Sequence, residues 1–284
     1  MSYVLTLIAN PDKQQITLSE ISQHLGAVEP VCLSEGEAYD IFTDEVINLV
    51  ELQEKLPHVD IILQEVAERR KKLLIADMDS TIVTGETLDD LAEFAGIKEQ
   101  VAEITTRAMN GEIQFRDALR ERVAMLKGLS SDFMEEAMKM VHLTPGAETL
   151  VATMKANGAY CALVSGGFTF FTSRVAAQVG FDFNAGNMME IKDGTLTGNV
   201  IDPILTKDSK LDYLHKLCVE QGLTTDQAVA VGDGANDLPM ILEAGLGIAY
   251  HAKPSVIARA KHTINHGNLT ALLFAQGYSK SDFQ

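Results

Sequence analysis

Two carboxylates one residue apart, Asp77 and Asp79, follow the apolar run Leu73-Leu74-Ile75-Ala76, and the hydroxyls of Ser80 and Thr81 come next. Like charges this close are costly unless a cation or a shared proton relieves them. The spacing therefore asks for a metal ion, an acid–base role, or both. Three more polar clusters sit in related places. Ser165-Gly166-Gly167 follows Ala162-Leu163-Val164; Lys210 lies in a helical segment, 209–217; Gly232-Asp233-Gly234-Ala235-Asn236-Asp237 follows Ala228-Val229-Ala230-Val231. Singly, each has a plainer reading: a surface carboxylate pair, a turn, a solvated lysine, a tight strand-to-helix bend. Together they fit phosphoryl transfer through a carboxylate nucleophile, which divides hydrolysis into two easier steps.

The roles follow from charge. A phosphoryl group in transfer spreads negative charge over its equatorial oxygens and needs a cation and fixed donors. Ser165, with the open backbone of Gly166, and Lys210 are the candidate phosphate binders. Asp77 is the candidate nucleophile and a metal ligand, Asp233 a second ligand, and Asp237 the residue orienting the metal's waters or the loop. Oxygen donors without a His/Cys cluster suit Mg²⁺. Asp79 is cast as the general acid, its proton retained because neighbouring carboxylate charge raises its pKa.

These residues need a scaffold that brings strand ends together. Four consecutive apolar residues suit a central parallel strand covered on both faces, and open α/β sheets bind ligands beyond the carboxyl ends of their strands. After Lys72, strand candidates at 73–76, 160–164, 228–231 and 246–250 alternate with helices, the signature of a parallel sheet. Between the first two, residues 86 to about 142 read as almost wholly helical, with stripes at Leu88, Leu91, Ala92, Ala95 and at Ala118, Val123, Leu126. This block is an inserted cap, and Pro145-Gly146 marks the return. Asp193-Gly194 predicts a hairpin. Residues 1–70 read as a small α+β unit, with strands at 4–9 and 59–63 and a helical stripe at Leu18, Ile21 and Leu25. The expected fold class is α/β: a Rossmann-like parallel-sheet core over 71–284 with an inserted helical cap and this N-terminal unit.

Composition narrows the function classes. The 284 residues suffice for a large core, and a net charge of −17 argues against a nucleic-acid partner. The same field repels an anionic substrate, so local cations must overcome it. No apolar stretch reaches membrane-spanning length and no signal peptide is read at the start, which predicts a cytoplasmic protein without membrane contact. Cys32, Cys161 and Cys218 lack CxxC spacing and read as buried small hydrophobes. Arg69-Arg70-Lys71-Lys72 reads as a solvated linker edge. Among the histidines, His142, His215, His251, His262 and His266 read as surface or cap residues.

The sequence resembles the haloacid dehalogenase superfamily of phosphotransferases and, within it, the phosphoserine phosphatase family. The resemblance rests on Asp77-Met78-Asp79-Ser80-Thr81, Gly85-Glu86-Thr87, Val164-Ser165-Gly166-Gly167-Phe168 and Val231-Gly232-Asp233-Gly234-Ala235-Asn236-Asp237. Residues 115–123, beginning at Phe115, resemble that family's cap, and the likeness covers roughly 71–276. It implies hydrolysis of O-phospho-L-serine to serine and phosphate through an aspartyl-phosphate, the last step of serine biosynthesis. It further implies that Glu86 binds the substrate's amino group and Arg122 its carboxylate, and that Met109 and Phe115 close over it. Asp79 would ligate Mg²⁺ through its backbone carbonyl, and Asn236 would lie near the phosphate. Periodicity alone cannot choose among Arg116, Arg120 and Arg122; only the resemblance favours Arg122. The first seventy residues are similar to small regulatory ACT-type modules, while a docking or dimerisation domain reads equally well and leaves a homodimer open.

Overall fold

Strand Leu73–Ala76 lies at the middle of the larger of two sheets, and all four of its residues are buried. That is the position its unbroken apolar run dictates. The computed structural model describes residues 2–45, 47–109 and 112–284, apart from the side chains of Met109 and Lys207.

The first unit runs β1 (Tyr3–Ala9), α1 (Leu18–Leu25), β2 (Val31–Ser34), β3 (Ala38–Thr43), α2 (Leu49–Lys55), β4 (Val59–Glu65). Its sheet has the order β2-β3-β1-β4 with antiparallel neighbours, the split-βαβ arrangement. A capping box between Thr17 and Glu20 starts α1, whose Ile21 is buried against Leu5, Leu7, Ile41 and Leu52. Sequence reading found β1, α1 and β4 but not β2, β3 or α2, which are short and carry weak periodicity. Leu18, taken as part of the buried stripe, is 54% exposed.

The chain continues with β5 (Leu73–Ala76), α3 (Thr87–Phe94), α4 (Lys98–Met109), α5 (Phe115–Ala124), α6 (Asp132–Met138), α7 (Ala147–Ala156), β6 (Tyr160–Phe168), α8 (Thr169–Val179), β7 (Phe183–Lys192), β8 (Thr195–Ile201), α9 (Lys207–Gln221), β9 (Ala228–Gly232), α10 (Leu238–Glu243), β10 (Leu246–Tyr250), α11 (Pro254–Ile257), β11 (His262–Ile264) and α12 (Ala271–Ala275). The seven-stranded sheet has the order β11-β10-β9-β5-β6-β7-β8, parallel except at β7–β8. Four of these strands match the expected ones. The expected hairpin is the end of β7 with β8; the first half of β7 and all of β11 escaped, because one is polar and the other only three residues long.

Helices α3–α6 leave the sheet after Val83 and return at Leu143, and these two residues pair as an isolated bridge. The N–H of Thr84 donates to His142 O and that of Thr144 to Ile82 O, both at 2.9 Å. The β7–β8 hairpin turns at Asp193 and Gly194, both with positive φ (50° and 72°), as its Asp-Gly pair requires. Its tip supports the helical block a third time: Gly128 N–H donates to Leu196 O, and Ser131 N–H to Gly194 O.

Three expectations need correction here. Arg69 is not a solvated linker residue. Its side chain is 10% exposed, and it donates to Asp40 (2.6 and 2.7 Å), to Thr6 Oγ1 (2.7 Å) and to the carbonyls of Phe274 and Ala275. Lys71 is buried as well and donates to Asp226 O. A charge run read in one dimension hides partners some 200 residues away. Asp60 accepts from the backbone N–H groups of Asn265, His266 and Gly267, and Ile8, Leu33, Ala38 and Ile62 share one apolar core with Leu269 to Tyr278. The small sheet is thus fused to the large one. Among the scattered residues, Cys161 and Cys218 are buried as expected but Cys32 is exposed, and His262 on β11 is buried rather than superficial.

Candidate active site

Parallel strands deliver their carboxyl ends to one edge, so β5, β6 and β9 place Asp77, Ser165 and Asp233 side by side. Helix α9 adds Lys210. The four clusters expected from sequence line one cavity of about 900 Å³. Its other wall is the cap, with Glu86, Phe115, Arg116, Arg120 and Arg122, and Asn236 lies at its edge.

At the floor, Lys210 Nζ is 2.6 Å from Asp77 Oδ1 and also ion-paired with Asp237. All three side chains are buried. Burial alone would depress the Lys210 pKa, but Asp237 and Asp77 outweigh it and hold it above the ordinary lysine value. Asp77 is pushed well up by burial and by the charge of Asp237, while Lys210 opposes the rise. Oxygens of Asp77, Asp233 and Asp237 lie within 4.8 Å of one another. Three hard carboxylate donors, without sulfur or imidazole, fit a hard divalent cation. Asp237, which the sequence reading set to orient the metal's waters or the loop, lies in this cluster and is also paired with Lys210. It also accepts the N–H of Gly234 at 2.9 Å, and a Cβ on Gly232 would overlap its carboxylate.

Asp79 points another way. Its Oδ1 accepts the Thr87 N–H at 2.9 Å, filling one orphan donor at the start of α3, and its Oδ2 accepts the Ser165 hydroxyl at 3.2 Å. Burial raises its pKa, although these hydrogen bonds oppose the rise. Burial, not the neighbouring carboxylate charge expected from sequence, is the cause, and a carboxyl group whose pKa is raised is suited to general-acid chemistry. Ser165 sits within the far end of β6 rather than at a helix start, since α8 begins four residues later. There its Oγ also accepts the Gly167 N–H at 2.9 Å.

On the cap side, Glu86 faces the cavity with a solvent-open edge. Burial against the cleft walls, then the charge of Asp79, push its carboxyl up to about 7. Of the three arginines on α5, Arg120 is paired with Asp202 at 2.9 Å. Arg122 is half-buried and has no carboxylate within ion-pair distance among the described residues. Its guanidinium reaches the carbonyl of Ala118 and Thr105 Oγ1. The Phe115 ring stands 3.6 Å from where a Cβ of Gly166 would lie, so cap and core meet over the glycine. Met109 ends α4, but its side chain lies outside the described residues.

Several wall residues escaped sequence reading, and one of them bears on the charge of the floor. Lys253 follows β10 and lines the cavity, its Nζ 3.6 Å from Asp233. The signal was available, because β10 is a core strand and its carboxyl end must open on the same edge.

A family model for haloacid dehalogenase-like hydrolases matches residues 74–242. The chain is 47% identical over 208 residues to a phosphoserine phosphatase of Polaromonas, covering 71% of this chain and 88% of that one. It is 40% identical over 229 residues to phosphoserine phosphatase SerB2 of Mycobacterium tuberculosis, covering 80% of this chain but only 56% of that longer protein. A HAD family hydrolase from Salmonella enterica serovar Typhi superposes with a TM-score of 0.85 at 30% identity, covering 97% of this chain and 98% of that one. A structure of a phospho-aspartyl intermediate analogue of phosphoserine phosphatase superposes at 0.67 with 40% identity, covering 72% of this chain and 98% of that one.

Proposed function

The chain belongs to the phosphoserine phosphatases of the haloacid dehalogenase-like hydrolase family, and from that membership we propose that it hydrolyses O-phospho-L-serine to serine and phosphate through a phosphorylated Asp77. The observation that carries the reading is the convergence of Asp77, Ser165, Lys210 and Asp233 on one cavity whose opposite wall holds Glu86 and Arg122.

The steps follow from the side chains. Ser165 and Lys210 hold the phosphoryl oxygens in line with Asp77. The Asp77 carboxylate attacks phosphorus, the bond to the serine oxygen breaks, and Asp79 gives that oxygen its proton. Asp79, now ionised, takes a proton from the water that attacks the aspartyl-phosphate, and phosphate leaves. Asp77, Asp233 and Asp237, with the carbonyl of Asp79, are the candidate ligands of Mg²⁺. When bound, that ion neutralises the crowded carboxylates and the charge developing on the phosphoryl group. Glu86 pairs with the substrate ammonium and Arg122 forks onto its carboxylate. Phe115 and Met109 shut the cavity from the cap, and Asn236 flanks the phosphate.

In this reading residues 71–284 are the phosphatase, 86–142 its cap and 1–70 an attached ACT-like module, acting in the cytoplasm at the end of serine synthesis. Among the described residues no helix is long and apolar enough to cross a membrane. The test is phosphate release from phosphoserine, phosphothreonine and sugar phosphates, each with and without chelator. Metal-dependent turnover with phosphoserine clearly preferred is expected. A sugar phosphate turned over faster than phosphoserine would refute the substrate assignment.

A further inference from the structure

We propose that Ser80 is a positioning residue for substrate recognition, its hydroxyl fixing the Glu86 carboxylate over the cavity in register with the proton-transferring Asp79. The inference rests on the reading of Glu86 as the ammonium receptor.

Three contacts staple the loop that leaves the nucleophile strand to its own return. Ser80 N–H donates to Gly85 O at 3.0 Å, Ser80 Oγ donates to Glu86 Oε1 at 2.9 Å, and Thr87 N–H donates to Asp79 Oδ1 at 2.9 Å. Successive residues, 79 and 80, thus grip successive residues, 85 to 87. The carboxyl that moves the proton and the carboxylate that faces the ammonium ride on one small closed turn. A shift of either drags the other, so the distance between leaving oxygen and amino group is built into the loop.

The backbone adds a second, independent observation. Ser80 holds φ 53° and ψ 8°, inside the left-handed region that disfavours residues other than glycine, asparagine and aspartate. Glycine would adopt this turn without strain. A serine tolerated there is one whose side chain is used, and the partner of its hydroxyl is Glu86. The hydrogen bond also opposes the protonation that burial and Asp79 impose on Glu86. The other counterweight, Lys253, is a half-exposed side chain.

The test uses the full-length enzyme with Mg²⁺ and two substrates, phosphoserine and p-nitrophenyl phosphate, which has no amino group. Ser80→Ala and Ser80→Gly are each expected to raise KM for phosphoserine about tenfold, the weight of one hydrogen bond to a charged group. kcat should change less, and the loss on p-nitrophenyl phosphate should be at least fivefold smaller (a ratio set by the same estimate). Ser80→Gly relieves the backbone strain without restoring the hydroxyl. If it recovers wild-type phosphoserine KM, the role is conformational only and the inference fails. Equal losses on both substrates in Ser80→Ala would overturn it too, by pointing to the phosphate end of the site. Glu86→Gln is run alongside. A phosphoserine-selective loss there, with none in the Ser80 variants, refutes only this inference. No selective loss in Glu86→Gln refutes the Glu86 reading and the Ser80 role with it.

Discussion

The floor and the roof of the cavity are built on opposite plans. On the floor, Asp77, Ser165, Lys210, Asp233 and Asp237 are all buried, and each hangs from a core strand end or helix paired into the sheet. On the roof, Phe115 is 43% exposed and Arg122 is half-buried, both on α5, and the cap that holds α5 joins the core at two chain crossings and is supported by a hairpin tip. On the proposed reading, bond-breaking falls to buried strand ends and substrate identity to a more exposed cap helix. Chemistry needs sub-ångström placement, which a parallel sheet supplies. Recognition needs a wall that can close on a substrate and exclude water.

The largest expected effect is on the floor. Asp77→Asn keeps the shape but removes the nucleophile, and should lower kcat on any phosphomonoester by roughly 10⁴-fold or more, the scale seen when a nucleophile is removed. Steady-state assays on phosphoserine and p-nitrophenyl phosphate should agree. Retained turnover on either would break the contrast at its root.

Chelation comes next and carries a pH signature. Asp77 and Asp233 have raised pKa values, both chiefly through burial. A carboxyl whose folded pKa is raised stabilises the fold below its unfolded pKa, near 4, and loses that contribution as pH rises through the folded value. The metal-free protein should therefore melt at lower temperature at pH 8 than at pH 5.5. Saturating Mg²⁺ should restore a few degrees, about 2.7 kcal/mol at a hundredfold excess over Kd, and more at pH 8. A Mg²⁺ shift that is equal at both pH values would mean the floor carboxylates are not its ligands.

The roof gives smaller and more selective losses. Arg122→Ala removes a charge-assisted fork worth about 1.5–3 kcal/mol, so kcat/KM for phosphoserine should fall roughly 10- to 100-fold. p-Nitrophenyl phosphate should be nearly spared. The same substitution at Arg120, which is tied to Asp202, should spare both substrates. If Arg120→Ala proves the damaging one, the clamp has been assigned to the wrong arginine.

What was legible in the sequence divides along the same line. Asp77, Ser165 and Asp233 could be read because an apolar run that stops at a polar residue is a one-dimensional image of a strand end. Arg122 could not be separated from Arg116 and Arg120 by helix periodicity, since a helix turns all three within reach of the cavity. Resemblance chose it; the Arg120–Asp202 pair sets Arg120 apart, while Arg116 lines the cavity as Arg122 does. The closeness of the Asp237 carboxylate to Asp233 was not legible, because its distance from the end of β9 hid the turn that brings it back. The fusion of the small sheet to the core was invisible because the partners of Arg69 and Asp60 sit about 200 residues downstream.

The smallest effect distinguishes floor from roof most cleanly, because it is a ratio. Glu86 has a carboxyl pushed up to about 7, first by burial and then by Asp79. Its charged form, which the ammonium needs, is present above that value and lost below it. At pH 8 about nine-tenths of Glu86 is ionised and at pH 6 about one-tenth. kcat/KM for phosphoserine should fall up to about tenfold between them, beyond whatever p-nitrophenyl phosphate loses. Titration of Asp77 and Asp233 moves both substrates and cancels in the ratio. Loss of the Asp79 proton, which the serine oxygen needs more than p-nitrophenolate does, works in the opposite direction, lowering the ratio as pH rises. Glu86→Gln should flatten the ratio while leaving the shared part of the profile in place. A ratio already flat in the wild type would show that the roof reads the ammonium with some other group.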